Sequence, residues 1–451
     1  MNIKTRLTIL NFLQFFVWGA WLITIANYWF GTKGWSGVNF GAVFSTLAWS
    51  SIFMPAITGI IADKWINAEK LYGILHILYG AVLFYLPQAS NPDAFYYVIF
   101  AAMLCYMPTI SLSNSISYSV LKNNNYDVVK SFPPIRVWGT IGFIVAMWVT
   151  NLTGNKASAN QFLIAGASAI VLGIYSFTMP KCPPQKSISQ NASLIEQLGL
   201  KAFKLFGNYK MALFFIFSMC LGAALQLTNM YGDVYISEFE NVPKYKIVID
   251  KLNNDFLPHI NSIQNFWDRV GYFFNHLTEI YPALIVKYST IIMSISQISE
   301  TIFIVTIPFF LRRFGIKKVM LFSMIAWVLR FGLFSYGNPA EGLWMIILSC
   351  IVYGMAFDFF NISGSLFVET NTDTSIRSSS QGLFMMMSNG FGALIGSKVS
   401  GYIVDAYTTN GTRDWHHIWL IFSAYSLVIA VFFVFLFKHK HNPSELADIK
   451  H

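Results

Sequence analysis

The sequence predicts an all-α polytopic membrane protein, with twelve transmembrane helices arranged as two halves of six. The first observation behind this is composition: 11% of the 451 residues are charged, 55% are apolar, and the mean hydropathy is +0.52. A typical soluble domain carries about 25% charged residues. The second is a series of long apolar runs, and the third is the sorting of basic residues into alternate loops. So few charges could not solvate the surface of a cytosolic enzyme or a nucleic-acid binder of this size, which excludes both classes.

Each spanning helix needs about 20 mainly apolar residues, and such a helix satisfies its own backbone in lipid. The predicted spans are 5–30, 36–63, 70–89, 95–121, 134–153 and 160–180 in the first half, and 210–236, 286–311, 317–337, 341–369, 378–404 and 416–437 in the second. The runs are too long for transmembrane β-strands and show no two-residue alternation. The N-terminal run is also too long for a signal peptide, so it is predicted to be the first span.

Basic residues in the loops predict the orientation of these spans. With the N-terminus inside, the inner segments hold 19 of the 30 Lys and Arg residues, and the short outer loops hold 3. Both termini are therefore predicted to be cytoplasmic. The net charge of +9 is then a record of topology and does not indicate a nucleic-acid partner. Three basic residues lie within predicted spans: Arg136, Arg330 and Lys398.

The largest inner loop predicts the domain organisation. This polar, basic linker, residues 181–209, separates an N-terminal six-helix domain, 1–180, from a C-terminal six-helix domain, 210–440. A tight basic loop follows the second span of each half, at 59–64 and 312–318. That agreement favours a parallel repeat of six spans, which is typical of one transporter architecture. The alternative is that any polytopic protein has basic inner loops.

The segment 237–285 forms a polar but aromatic-rich insertion between the seventh and eighth spans, on the outer (periplasmic) side. It is expected to divide at Pro258 and to form amphipathic helices on the outer membrane face. One hypothesis makes it a lid over the substrate entrance. The other makes it a decoration that explains the composition equally well.

Polar residues at membrane depth are expensive, and they mark candidate sites. Near the start of the fifth span, where Pro133 and Pro134 suit a helix start, Arg136, Thr140 and Phe143 are spaced i, i+4, i+7 and share one helix face. A cation, a hydroxyl and a ring on one face could line a polar cavity. Alternatively, the Arg136 side chain reaches to the inner surface.

Two pairs of polar residues occupy the seventh and eighth spans. Gln226 and Asn229 are i, i+3 neighbours that could offer donors and acceptors to a neutral polar ligand, or could hydrogen-bond between helices. Gln297 and Glu300 share a face in the eighth span. The Glu300 carboxylate is a candidate proton carrier or ligand acceptor. The alternative for Glu300 is a structural salt bridge to one of the two basic residues buried in later spans, Arg330 or Lys398.

The tenth span carries an aromatic pair beside an acid. Tyr353 and Phe357 are spaced i, i+4 and could stack on a planar ring, although such pairs more often serve packing. Asp358 and Asn361 follow them and favour a functional interpretation.

Catalytic and cofactor motifs do not compete with a transport site. The four cysteines and eight histidines have no disulfide or metal-site spacing, and the sequence contains no phosphate-binding loop. We therefore expect neither an enzyme nor a metal or organic cofactor.

Several stretches resemble the bacterial nucleoside permeases of the nucleoside:H+ symporter family, within the major facilitator superfamily. The similarity covers roughly 1–238 and 286–440, and the outer insertion is longer than the family pattern. The stretches that carry it are 12–15, 18–21, 62–65, 132–143, 216–219, 294–300, 357–364 and 414–415.

The resemblance implies the major facilitator fold and a permease that imports nucleosides with protons by alternating access. It assigns nucleoside binding to Arg136, Thr140, Phe143, Gln226, Asn229, Gln297, Glu300, Tyr353 and Phe357, and proton coupling to Asp358 with Glu300. It also implies a monomer in the bacterial inner membrane that needs no cofactor besides the coupling proton. Its partners would be a nucleoside, H+ and the lipid bilayer. A proton-coupled permease for sugars or another small polar solute is the alternative, because the same polar residues would serve it.

Overall fold

The structure, a computed structural model, describes residues 2–184, 200–373 and 376–439, and it is almost entirely helical. Linker residues 185–199 and residue 440, at the predicted domain boundary, lie outside the described residues. The α-helices are α1 Ile3–Gly19, α2 Gly37–Lys64, α3 Ala68–Tyr85, α4 Pro92–Asn123, α5 Val128–Leu152, α6 Asn160–Ser176, α7 Tyr209–Ser237, α8 Pro243–Lys251, α9 Leu257–Ser262, α10 Phe266–Lys287, α11 Ser289–Met293, α12 Ile295–Tyr336, α13 Leu343–Asn371, α14 Arg377–Met385, α15 Ala393–Ala406 and α16 Trp415–Leu436. Strands β1 Thr408–Thr409 and β2 Thr412–Arg413 pair antiparallel in a small hairpin.

Eight helical stretches in the described part of the chain are long and apolar enough to cross a membrane. They are Gly37–Lys64, Ala68–Gln88, Pro92–Asn123, Lys130–Leu152, Tyr209–Asn241, Ser289–Tyr336, Leu343–Asn371 and Trp415–Leu436. The 48-residue stretch is long enough for two spans, and Gly315 interrupts it with a φ of 77° that L side chains rarely adopt. This break lies between the predicted spans 286–311 and 317–337. The membrane-protein class is confirmed, and the count of twelve spans stays a prediction.

The first predicted span is not one continuous helix. Helix α1 ends at Gly19, turn residues 20–24 follow, and a π-helical turn covers Asn27–Thr32. At the break the Thr24 hydroxyl donates to the Oε1 atom of Gln161 on α6, at 2.8 Å. This bond joins residues far apart in the chain, so the periodicity of apolar residues does not report it.

Two expectations about proline were wrong. Helix α5 begins at Val128, so Pro133 and Pro134 lie inside it and do not open it. Both prolines are exposed, which leaves room to solvate the carbonyls that lack their usual N–H partners. Pro258 does not divide the insertion, since α8, a π-helical turn and α9 run on through it and the break comes at residues 263–265.

The insertion instead folds on itself. Its helices share a small apolar core that includes Tyr245, Leu252, Phe256 and Ile280. Several large side chains remain exposed on α10, among them Trp267. We call the end of the bundle that carries the insertion the insertion end. The opposite end, where α1 begins and α16 ends, is the termini end.

Hydrogen bonds between the N-terminal half, residues 2–184, and the C-terminal half, residues 200–439, cluster at the insertion end. The Asp405 carboxylate accepts from the backbone N–H groups of Gly37 and Val38, at 2.5 and 2.8 Å. These are the first N–H groups of α2, where a carboxylate is stabilised by the helix dipole. The two halves are therefore joined at this end of the bundle.

Glycines allow the helices around the bundle centre to approach closely. A Cβ atom on Gly222 of α7 would lie 1.9 Å from the carbonyl oxygen of Ser388, within the π-helical turn Met386–Gly392. That oxygen is backbone and cannot rotate away. The packing of α7 against this turn consequently requires glycine at residue 222.

We expect Gly222→Ala to destabilise the protein by about 1–3 kcal/mol through overpacking. The measurement is the thermal unfolding of purified protein in detergent. Gly59→Ala in α2 is the matched control, because its Cβ would meet nothing within 4 Å and alanine favours the helix. Equal unfolding temperatures for the two variants would contradict the packing argument.

Candidate functional site

A cavity of about 340 Å³ lies between the two halves near the middle of the bundle. This central cavity falls in the size range of small-molecule sites. It is lined by all nine residues predicted to bind a nucleoside: Arg136, Thr140, Phe143, Gln226, Asn229, Gln297, Glu300, Tyr353 and Phe357. The other lining residues are Phe15, Trp18, Leu22, Leu47, Ser51, Met107, Ile110, Leu225 and Asn389.

Helix α5 supplies the wall from the N-terminal half. The Arg136 guanidinium carbon lies 4.1 Å from the ring centre of Phe15, within cation–π range. Arg136 therefore lies over an aromatic face at the cavity and does not reach to the membrane surface. Trp18 meets the Phe143 ring edge-on, with centroids 6.3 Å apart, which fixes that ring at the wall.

Helices α7 and α12 supply the opposite, polar wall. Gln226 and Asn229 project from α7, and Gln297 and Glu300 from α12. The Oε1 atoms of Gln226 and Gln297 are buried without a hydrogen-bond partner among the described residues. Buried polar atoms are normally paired, so these two carbonyl oxygens are acceptors available to a ligand.

Helix α13 supplies an aromatic wall. The rings of Tyr353 and Phe357 lie parallel, with an interplanar angle of 3° and centroids 5.9 Å apart. The Arg330 guanidinium lies 4.6 Å from the Tyr353 ring centre and supports it. Gly354 lets α13 approach α12 at Ser299, which brings Tyr353 next to Glu300.

Seven polar side chains of the cavity share one property: none makes a hydrogen bond to another described residue through its side chain. They are Arg136, Thr140, Gln226, Asn229, Gln297, Glu300 and Tyr353. A cavity with this much unused hydrogen-bonding capacity is suited to a polar ligand that binds several groups at once.

Glu300 is not held in the salt bridge that the sequence left open. Arg330 is fully buried and donates to the carbonyl of Ser349 at 2.6 Å and to the Thr228 hydroxyl at 3.1 Å. Lys398 is exposed. The cation that shares the central cavity with Glu300 is Arg136, on the opposite half.

Asp358 is placed differently from the nine lining residues. It is buried next to Phe357, and its Oδ2 atom has no hydrogen-bond partner among the described residues. It does not belong to the lining of the central cavity. A carboxylate in this position is adjacent to the ligand space without contacting it.

A second cavity of about 730 Å³ adjoins the central one toward the termini end. Its walls come from α12, α13 and α14, and it shares Phe357 and Asn389 with the central cavity. These two residues lie where the cavities meet. With the insertion end joined by hydrogen bonds, the route out of the central cavity leads through this second space.

The insertion end is closed over the central cavity by a buried network of polar groups. The Asp233 carboxylate accepts from Asn27 of the N-terminal half and from Thr290. Lys156, in the loop after α5, donates to the carbonyl of Val286 and to the hydroxyls of Ser237 and Ser289, each at 3.0 Å. Burial lowers the pKa of Lys156, while the carboxylates of Asp233 and Glu240 act in the opposite direction.

Sequence reasoning missed several of these residues. In the sequence Asn389 is a single polar residue within an apolar span, which gives no signal. The signal that could identify it is the π-helical turn that carries it, since such turns recur at functional sites. Phe15 and Trp18 lay in stretches that carried the resemblance but had no assigned role. Asp233 lies one turn from Asn229 on α7, and that spacing was the available signal.

An apolar helical bundle with a central cavity between its two halves, lined by polar side chains that lack hydrogen-bond partners among the described residues, defines a membrane transporter. Its architecture is that of the major facilitator fold. The chain belongs to the nucleoside H+ symporter family, whose model matches residues 1–442. Proton-coupled nucleoside transport, predicted from the sequence, is confirmed by this membership. The protein is a transporter and not an enzyme, as its permease relatives also indicate.

Individual relatives are similar in sequence to this chain over nearly their whole length. The nucleoside permease NupG of Escherichia coli (strain K12) is 47% identical over 442 residues, covering 98% of this chain and 97% of that protein. The xanthosine permease of the same organism is 45% identical, covering 99% and 98%. A crystal structure of a mutant of nucleoside transporter NupG superimposes with a TM-score of 0.87, covering 97% of this chain and 100% of that one.

Proposed function

We propose that this protein imports nucleosides together with protons, and that it binds them in the central cavity through the nine predicted residues. The single observation that carries the proposal is the set of seven polar side chains that line one cavity and make no side-chain hydrogen bond to another described residue. Aromatic rings complete that space on two sides. Family membership supports the same cargo.

Different walls of the cavity match the two parts of a nucleoside, the ribose and the base. A ribose offers hydroxyl groups that both donate and accept. The guanidinium of Arg136, the amides of Gln226 and Gln297 and the Glu300 carboxylate match them, and bonds to charged groups are the stronger ones. A nucleobase offers a flat apolar face, which suits stacking against Phe143 or the parallel pair Tyr353 and Phe357.

Proton coupling is assigned to Glu300 and Asp358. Both carboxylates lie at membrane depth, where an unpaired charge is costly, so taking up a proton together with the substrate lowers the cost of moving the loaded cavity. Glu300 lines the ligand space, and Asp358 is buried at the position after Phe357. Alternating access would then close the termini end and open the insertion end around a fixed site.

The predicted arrangement in the membrane belongs to the same proposal. We place both termini in the cytoplasm and the insertion 237–285 on the outer face of a bacterial inner membrane, following the excess of basic residues at the termini end. The halves 1–180 and 210–440, joined by the linker 181–209, act as the two moving domains of a monomer. The proton is the coupling ion.

Uptake of labelled uridine in transport-deficient cells tests the function. We expect uptake that a protonophore abolishes and that unlabelled nucleosides, xanthosine included, compete. Competition by free sugars and not by nucleosides would favour a sugar permease instead. Uptake that persists with a protonophore would remove the proton-coupling claim.

We expect Arg136→Ala to weaken nucleoside binding by about 10- to 100-fold, because the variant loses one or two charge-assisted hydrogen bonds. The measurement is equilibrium binding of labelled uridine to purified protein. Arg269→Ala is the matched control, since Arg269 is exposed in the insertion. Unchanged affinity in Arg136→Ala would contradict the site assignment.

A further inference from the structure

Two asparagine side chains lie beside the junction of the central and second cavities. Asn389 lines both, and Asn361 lines the second cavity one turn beyond Phe357 on α13. The nucleoside site proposed above uses neither. Their position places them directly on the route between the central cavity and the termini end.

Both amides have unused hydrogen-bonding capacity. The Asn361 side chain makes no hydrogen bond to any described residue, and neither amide is fully enclosed. Within the part of the chain that the structure describes, the Asn389 amide nitrogen makes one hydrogen bond, a long one of 4.0 Å to the sulfur of Met385. By contrast, Gln381 and Ser365 of the same cavity are bonded to each other. The two asparagine amides can therefore bind a ligand, whereas Gln381 and Ser365 already use their side chains to bond each other.

The backbone holds Asn389 in place. It lies on the π-helical turn Met386–Gly392, which packs so closely on α7 that a Cβ on Gly222 or on Gly392 would collide with a carbonyl oxygen. A rigid π-helical turn that presents a polar side chain to a cavity recurs at functional sites. Asn389 is therefore presented by a fixed element.

The second cavity also has an aromatic side. Phe357 lines it as well as the central cavity, and apolar residues such as Ile307 and Pro308 form much of the remaining wall. Amides offer paired donors and acceptors in one plane, which matches the edge of a nucleobase. An aromatic ring beside them matches its face.

We propose that Asn361 and Asn389, together with Phe357, form a second nucleoside subsite in the second cavity, which receives the nucleoside as it leaves the central site. The subsite recognises the base through the two amides and has no charged partner for the ribose among these three residues. Binding there is weaker than in the central cavity, as release into the cell requires. The proposal rests on the proposed function, because it takes the same class of cargo.

Equilibrium binding of labelled uridine to purified full-length protein, measured from low micromolar to high millimolar concentration, tests the second subsite. The wild-type protein is expected to show a tight and a weak phase. Arg136→Ala should weaken the tight phase by about 10- to 100-fold and leave the weak phase unchanged. Asn361 lines the second cavity and not the central one, so Asn361→Ala should keep the tight phase, which shows that the variant is folded, and weaken the other by about tenfold.

Asn275→Ala, an exposed asparagine on α10, is the matched control and should leave both phases unchanged. A single phase in the wild type, or a weak phase that Asn361→Ala does not alter, overturns the second subsite and leaves the central site standing. Absence of any uridine binding by the wild type overturns the proposed function itself, and the subsite with it.

Discussion

Glu300→Gln is expected to abolish the proton-driven accumulation of labelled uridine, down to the level of cells that lack the protein. Glutamine keeps the size of the side chain and can still hydrogen-bond a ribose, but it cannot take up or release a proton. Glu300 is the carboxylate that lines the central cavity, and it has no hydrogen-bond partner among the described residues. The measurement is uptake into vesicles under an imposed pH gradient, with surface expression quantified in parallel.

Glu341→Gln is the matched control, because Glu341 is exposed and lies outside the cavity. Asp358→Asn separates the two candidate proton carriers. If Glu300→Gln accumulated uridine like the wild type while Asp358→Asn did not, proton coupling would belong to Asp358 alone. Loss of uphill accumulation with retained nucleoside exchange in Glu300→Gln would place its role in coupling and not in binding.

Lys156→Met is expected to weaken the closed insertion end by about 1.5–3 kcal/mol, since the variant loses the buried hydrogen bonds that the charged Lys156 donates to Val286, Ser237 and Ser289. The Asp233 carboxylate would stay buried with only neutral partners, Asn27 and Thr290. Opening at this end would solvate it. The population should therefore shift toward a state that is open at the insertion end.

The measurement is the distance distribution between spin labels at Thr153→Cys and Asn241→Cys, two exposed positions on opposite halves at the insertion end. Lys156→Met should add a longer distance, and Lys246→Met, which removes an exposed lysine of the insertion, should not. The double variant Lys156→Met, Asp233→Asn should recover part of the closed population, because no unpaired charge remains. An unchanged distribution in Lys156→Met would mean that the network does not hold the insertion end closed.

Much of the fold could be predicted because a membrane restricts the choices. Helices must satisfy their own backbone in lipid, so an apolar run of the right length is enough to place a span. The exceptions involve particular side chains. Where the chain breaks after Gly19, Thr24 bonds to Gln161 of another helix, and the prolines of α5 are tolerated because they are exposed.

Part of the candidate site could likewise be predicted from the sequence, and part could not. Helical spacing placed Arg136, Thr140 and Phe143 on one face and paired the six further lining residues within their own spans. The resemblance then assigned all nine to nucleoside binding. Spacing could not decide whether Arg136 lines a cavity or reaches the surface, because that depends on the Phe15 ring from another helix. It also could not reveal Asn389, whose direction is set by a π-helical turn packed on Gly222.

The sequence by itself determined the class of protein, the places where polar groups enter the membrane and the family resemblance, because each of these depends on composition or spacing along one helix. Only the tertiary structure decided which partners those polar groups contact. All nine predicted residues lie around one cavity, and Arg330 donates to the carbonyl of Ser349 and not to Glu300. Hydrogen bonds to Asp233 and Asp405 join the two halves. Such contacts join residues far apart in the chain, and their geometry follows from how the helices pack.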